Sequence, residues 1–142
     1  MTVRGAIAPK DLGKTLTHEH TILNLECFAR QHEDPEGGAE FYNPLSMDNL
    51  SFALSDIYAI RDNLDIQDAS LIIHELKLFK KAGGGTVCDM TNEDFIQFRD
   101  EPGRHWSTLR DISEQSDTHL VCCVGNYLES THSPETRIMT AG

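Results

Sequence analysis

The chain has 142 residues, of which 39% are hydrophobic and 25% charged, a composition ordinary for a globular domain with its own core. Its formal net charge of −11 repels phosphate backbones, and it has no apolar run long enough to span a membrane. We therefore expect neither a nucleic-acid nor a membrane partner. The four cysteines lack Cys-x-x-Cys spacing, and the N-terminus lacks the apolar core of a secretory signal, which together fit a reduced, cytoplasmic chain.

The first predicted element is a strand over residues 15–20, which carries two histidines. Side chains alternate between the faces of a strand, so His18 and His20 are predicted on one face, together with Leu16. Two imidazoles about 6–7 Å apart on one face can converge on a single cation, and zinc and its neighbours accept imidazole ligands. The spacing alone leaves two interpretations open: a metal site, or two solvated histidines that happen to be neighbours.

An irregular segment and two helical patterns follow. Residues 21–49 are rich in Pro, Gly and acidic residues, as in a long loop, and His32 within them is interpreted as solvated. Apolar spacing predicts a weak helix within 47–64, with Ser46 as its N-cap, and an amphipathic helix over 68–82.

Three glycines lead from the second helix into the next strand. Residues 83–85 predict a helix stop and a tight turn rather than a ligand cradle, followed by a buried strand over 86–91. The sequence does not decide which way Asp89 in this strand points. A helix over 105–116 and a continuous apolar strand over 119–125 complete the order strand, helix, strand, helix, strand. This order predicts an α/β fold with a parallel sheet.

The inward positions of these elements predict the buried core. Its members alternate along the strands or recur at helical spacing. They are Leu16, Ile72, Leu76, Phe79, Val87, Leu109, Ile112, Val121 and Val124.

Three segments carry a resemblance to a known family. Residues 11–20 resemble the first barrel strand of the phosphotriesterase-like family of the amidohydrolase superfamily, which ends in Leu-Thr-His-Glu-His. Residues 82–91, with an Ala-Gly-Gly-Gly-Thr run and a strand ending in acidic and Thr residues, resemble its second strand. Residues 125–137 resemble the third strand and following loop of the metazoan phosphotriesterase-related subgroup.

The resemblance implies a partial (β/α)8 TIM barrel. Residues 1–142 would form the N-terminal portion of a metal-dependent hydrolase barrel, its first three strands with intervening helices and no second domain. A whole barrel needs roughly 200–250 residues. The family's remaining metal ligands would then lie beyond Gly142, so the chain alone is expected to be incomplete and inactive.

The resemblance also assigns the site residues. His18 and His20 would be metal ligands, and Tyr127 at the end of the third strand would contact substrate. The cofactor would be two divalent cations, zinc in the first place with manganese or cobalt as alternatives. The implied activity is catabolic hydrolysis of small N-acyl amides such as N-acetyltaurine by a metal-activated water.

Two features keep other interpretations open. Residues 92–102 depart from the family pattern as an insertion, in which Phe95, Ile96 and Phe98 would form a lid or a partner patch. A truncated, non-catalytic product and an α/β binding module are the alternative functions. Homo-oligomer formation through exposed strand edges is a further expectation.

Overall fold

The computed structural model describes residues 1–29, 41–92, 94–96 and 102–132. His32 and Phe98, interpreted above from sequence, lie outside the described residues. The chain divides into two compact units, which are described separately: Met1–Ile22 with Asp68–Gly142, and Leu23–Gln67. No helix in the described ranges is long and apolar enough to cross a membrane.

Strands and helices are numbered in chain order. The strands are β1 (Lys14–Glu19), β2 (Leu23–Asn24), β3 (Asp65–Ile66), β4 (Gly84–Asp89) and β5 (His119–Cys122). The α-helices within the described residues include α1 (Leu50–Ser55), α2 (Ala69–Lys81) and α3 (Pro102–Ser116).

The first unit contains a three-stranded parallel sheet in the order β1-β4-β5. Leu16 pairs with Val87, which pairs in turn with Leu120. Helix α2 precedes β4 in the chain, and α3 connects β4 to β5. The parallel α/β fold predicted from the order of the elements is thus confirmed.

Local chemistry explains where α2 begins and ends. The Asp68 carboxylate caps the helix by accepting the backbone N–H groups of Ser70 at 2.9 Å and Leu71 at 3.1 Å. The chain leaves the helix through Gly83, whose φ of +90° favours glycine, and β4 begins at the next residue. At Gly85 a Cβ would lie 2.3 Å from the carbonyl oxygen of Leu12, so only glycine allows this close approach. The glycine run therefore forms a helix stop and a tight entry into a strand, as predicted.

The core of the first unit lies between the sheet and its two helices. Of the nine predicted core residues, Leu76, Val87, Leu109 and Ile112 are buried, and Ile22 and Leu120 complete the buried cluster. The prediction was wrong for Leu16 and Val124, which are 40% and 87% exposed. Leu16 lies on an edge strand of the described sheet, and Val124 follows the end of β5, where strand alternation no longer applies.

The register of β1 contains an irregularity next to the histidines. Leu16 pairs with Val87 and Glu19 with Asp89, so β1 uses one residue more than β4 between the two pairs. Such a bulge interrupts the alternation of side chains. The predicted common face of Leu16 with the two histidines therefore does not follow from simple counting.

The second unit is held by a short antiparallel pair. Leu23 pairs with Ile66, and Leu25 donates its N–H to the carbonyl of Leu64 at 2.7 Å. The helix predicted within 47–64 is shorter than expected, because Asp56 adopts an extended conformation and its carboxylate accepts the N–H of Tyr58 at 3.0 Å. This local bond competes with continuation of the helix.

Candidate metal centre

The candidate site lies where the three parallel strands end. Strands β1, β4 and β5 end at Glu19, Asp89 and Cys122, and the pairs Glu19 with Asp89 and Asp89 with Cys122 are in register. Residues directly after these positions therefore share one edge of the sheet. In open and closed α/β sheets this edge is where ligands bind.

Two histidine rings meet at this edge. The ring centroids of His18 and His20 lie 5.7 Å apart with an interplanar angle of 73°, and both residues are exposed. Rings at this separation are close enough for a nitrogen of each to reach one cation. Within the described ranges, no three His, Cys, Asp or Glu side chains are grouped so as to hold a metal ion. The pair alone is smaller than the set of at least three protein ligands that zinc sites use.

A hydroxyl from the segment that follows β4 contacts one of the two rings. His20 Nδ1 and Thr91 Oγ1 lie 2.9 Å apart, although 71 residues separate them in the chain. Thr91 itself is buried. This contact leaves the other ring nitrogen, Nε2, as the atom of His20 available to a ligand.

A buried carboxylate underlies this contact. Asp89 is 1% exposed. Its Oδ1 accepts the backbone N–H of Thr91 at 2.8 Å, and its Oδ2 accepts both the backbone N–H of Thr21, at 3.2 Å, and the Thr21 hydroxyl. The question that the sequence left open about Asp89 is thus answered: its side chain links the residue after His20 to the residue that contacts His20.

Burial favours the neutral forms of the titratable side chains near Asp89. Burial lowers the pKa of His105 below its usual value, and the Asp89 charge opposes this shift. Burial, reinforced by the same charge, raises the pKa of the Cys122 thiol to about 12. The pKa of Cys123 is raised for the same two reasons. A pKa this high favours the protonated thiol of Cys122 over the nucleophilic thiolate at neutral pH.

Tyr127, the predicted substrate contact, lies beyond the end of β5 and is 63% exposed. Its backbone N–H donates to the Asp94 carboxylate at 2.5 Å, and its ring centroid lies 5.3 Å from that of Phe95. Phe95 and Ile96 are buried, at 5% and 6% exposure. The described part of the insertion thus anchors the Tyr127 loop, and its apolar residues do not form an exposed patch.

Sequence reasoning singled out the histidines and Tyr127 but missed the residues that connect them to the fold. Thr91, Thr21 and Asp94 carried no role in the analysis of the sequence. A signal was present for Asp89 and Thr91, because a carboxylate ending an otherwise apolar strand needs buried donors.

Comparisons with known proteins agree on one family. Residues 1–141 match the family model described as the Phosphotriesterase family. The N-acetyltaurine hydrolase of Danio rerio is 33% identical over 142 residues, and that of Tetraodon nigroviridis is 36% identical over 141. The human N-acetyltaurine hydrolase is 33% identical over 140 residues. In each case the match covers 98% of this chain, which spans 38% of the relative's length.

Solved structures support the same fold. A resiniferatoxin-binding protein from Rhodobacter sphaeroides superposes with a TM-score of 0.85 at 29% identity, covering 96% of this chain and 36% of its own. A lactonase from Listeria monocytogenes superposes with a TM-score of 0.55 at 21% identity, covering 87% of this chain and 27% of its own. At that identity the lactonase supports the fold alone.

Proposed function

The chain belongs to the phosphotriesterase family, and from that premise we propose that it supplies two metal ligands, His18 and His20, to a hydrolase of small N-acyl amides. The observation that carries the proposal is the pairing of the two imidazoles, 5.7 Å apart, at the ligand-binding edge of a parallel sheet.

The donor set fits a divalent cation of the zinc type. Imidazole nitrogens are ligands that zinc, manganese and cobalt accept, and a ligating histidine characteristically uses its second ring nitrogen for a hydrogen bond. His20 has such a bond, to Thr91 at 2.9 Å. The set is incomplete within the described residues, which agrees with a chain spanning 38% of the length of its curated relatives.

Each residue of this chain then has a limited task in the reaction. Divalent cations bound here would supply Lewis acidity, which would polarise the scissile carbonyl and lower the pKa of a water molecule so that it could attack as hydroxide. His18 and His20 would each hold the cation through an imidazole nitrogen. Tyr127, packed against Phe95, offers an exposed aromatic surface that would contact the substrate and help to exclude water. The substrate itself is a small molecule with an acyl group on nitrogen.

Two facts favour amide hydrolysis over the phosphotriesterase and lactonase activities. Relatives that carry the name N-acetyltaurine hydrolase are 33% to 36% identical over nearly the whole chain. The likeness to the Listeria lactonase lies at 21% identity and concerns the fold. N-Acetyltaurine is therefore the first substrate to test.

The chain alone is proposed to be non-catalytic. The two histidines provide fewer ligands than a catalytic zinc site needs. The purified 142-residue chain, loaded with zinc or manganese, should show no turnover of N-acetyltaurine, a lactone or a phosphotriester. Turnover that disappears in His18→Ala would show that the chain is sufficient by itself.

A chimera tests the ligand assignment. The segment of the Danio rerio enzyme that matches this chain is replaced by the 142 residues, and metal content and N-acetyltaurine hydrolysis are measured. His18→Ala and His20→Ala should each remove bound metal and lower turnover at least about 100-fold. His74→Ala, at an exposed position on α2, is the matched control and should change neither.

The outcomes separate the two parts of the proposal. A folded chimera whose metal content is unaffected by His18→Ala and His20→Ala would refute the ligand assignment. A chimera that binds metal through these residues but hydrolyses only lactones or phosphotriesters would refute the amide substrate. If the chimera does not fold, zinc titration of the 142-residue chain, compared among the same three variants, tests the ligands directly.

A further inference from the structure

We propose that Thr91 is a positioning residue that holds His20 in the tautomer whose Nε2 lone pair is free for the metal, and that the buried Asp89 carboxylate fixes Thr91 for this task. The inference rests on the proposed function, because it assigns these residues a role toward the same metal centre. It concerns this chain's own side chains and is testable without catalysis.

Thr91 contacts His20 directly. Thr91 Oγ1 lies 2.9 Å from His20 Nδ1, within hydrogen-bond distance. A neutral imidazole carries its proton on one nitrogen and a lone pair on the other. When the Thr91 oxygen accepts the Nδ1–H of His20, the lone pair is on Nε2, and only that tautomer can ligate a metal through Nε2.

Asp89 supports the position of Thr91. Asp89 Oδ1 accepts the backbone N–H of Thr91 at 2.8 Å, two residues along the chain. Asp89 Oδ2 accepts the backbone N–H and the hydroxyl of Thr21, the residue next to His20. One buried carboxylate thus holds both sides of the His20–Thr91 contact, the segment that follows β1 and the segment that follows β4.

The burial of Asp89 gives an energetic reason for this arrangement. Asp89 is 1% exposed, and a buried carboxylate is tolerated only when donors satisfy it. Three donors on Thr21 and Thr91 do so, and hydrogen bonds to a charged group are the stronger ones. The bond to the Thr91 N–H therefore also restricts the backbone that carries the Thr91 hydroxyl.

His18 provides an internal comparison. Among the described residues, its ring has the His20 ring as a neighbour and no hydrogen-bonding partner. Since no contact with Thr91 is observed for His18, we expect its tautomer not to respond to changes at Thr91. Any effect of Thr91 on zinc binding should act through His20 alone.

The experiment measures the tautomer first. Long-range ¹H–¹⁵N spectra of the labelled 142-residue chain, recorded without metal at a pH where the imidazoles are neutral, distinguish the two tautomers of each histidine. Wild-type His20 should carry its proton on Nδ1. Thr91→Val should abolish this preference, Thr91→Ser should retain it, and His18 should stay unchanged in all three. Thr15→Val is the matched control, since the Thr15 hydroxyl donates to the carbonyl of Gly13 rather than to a histidine.

The second measurement is zinc affinity, followed through the same imidazole signals. Thr91→Val should raise the zinc Kd about 10- to 100-fold, and Thr91→Ser should stay within about threefold of wild type. Rescue by serine separates positioning from packing, because serine restores the hydroxyl and not the methyl group. Amide spectra establish that each variant is folded, and Thr91→Ala replaces the valine variant if that one is not.

Each outcome decides one question. A wild-type His20 protonated on Nε2, or a folded Thr91→Val variant with unchanged tautomer and zinc Kd, overturns the positioning role and leaves the ligand assignment intact. Zinc binding that does not involve the His18 and His20 signals overturns the proposed function, while the tautomer result still reports on Thr91.

Discussion

Asp94 offers a sharp test of how the inserted segment supports the site, through the change Asp94→Ala. Asp94 is 2% exposed and accepts the Tyr127 backbone N–H at 2.5 Å and the Thr131 hydroxyl at 3.0 Å. Hydrogen bonds to charged groups contribute about 1.5–3 kcal/mol each. The Tyr127 N–H would lose this acceptor, while the Thr131 hydroxyl also has the carbonyl of Leu128 at 2.8 Å. The loss is then one full charged bond and part of a second, about 3 kcal/mol.

Amide hydrogen exchange measures this loss locally. Where the exchange rate follows the opening equilibrium, a loss of about 3 kcal/mol corresponds to roughly 100-fold faster exchange of the Tyr127 amide, since 1.4 kcal/mol is a factor of ten. Asp94→Asn keeps one carbonyl acceptor and should give an intermediate rate. The contact between the rings of Phe95 and Tyr127, with centroids 5.3 Å apart, should weaken in parallel in spectra of the alanine variant.

The control for this prediction is Asp111→Ala, at an exposed position on α3. It removes the same side chain without removing a buried acceptor, and surface substitutions usually change stability by less than about 0.5 kcal/mol. If Tyr127 exchange changes less than threefold in Asp94→Ala, Asp94 does not anchor the loop, and the argument from its buried contacts is refuted.

Three further predictions concern burial in the first unit. Because burial lowers the pKa of His105, the His105 imidazole binds a proton more readily in the unfolded chain, and the free energy of unfolding should fall as the pH drops below about 6.5. Urea titrations at pH 7.5 and 5 should show a smaller pH dependence of this free energy in His105→Phe than in wild type. An equal pH dependence in both would contradict the prediction. Cys122, whose pKa is raised to about 12, should resist iodoacetamide at pH 8 while the exposed Cys27 reacts, and peptide mass spectrometry measures the labelling of each. Comparable labelling of the two cysteines would show that Cys122 is accessible. Leu120→Ala, at a fully buried position, should lower the free energy of unfolding by about 2–5 kcal/mol, whereas Val124→Ala should change it by less than about 0.5 kcal/mol. Similar losses in the two variants would show that β5 does not end before Val124.

Local patterns in the sequence were enough to predict the elements of the first unit. The helix predicted over 68–82 is observed as Ala69–Lys81, with the cap at Asp68 and the stop at Gly83 where short-range chemistry requires them. The order of apolar strands and helices predicted a parallel sheet, and three parallel strands are observed. These features depend on residues within a few positions of one another, so the sequence carries them directly.

The second unit was harder to predict, because its strand pairing is short and joins residues that are far apart in the chain. Its antiparallel pair joins Leu23 to Ile66 through only two residues on each side, which leaves no periodic pattern to recognise. The short bond between Asp56 and Tyr58 ended α1 early, a competition that apolar spacing does not report.

For the candidate site, the sequence by itself determined that two histidines lie close together, since their spacing of two residues is a local relation. Only the tertiary structure decided what holds them. Thr91 reaches His20 across 71 positions, Asp89 reaches Thr21 across 68, and Asp94 reaches Tyr127 across 33. These contacts depend on the register between strands, and a single extra residue between Leu16 and Glu19 in β1 changes which side chains face each other. Register is set by the packing of the whole sheet rather than by any one strand, so the sequence could predict the pair of histidines but not which distant residues contact them or their neighbours.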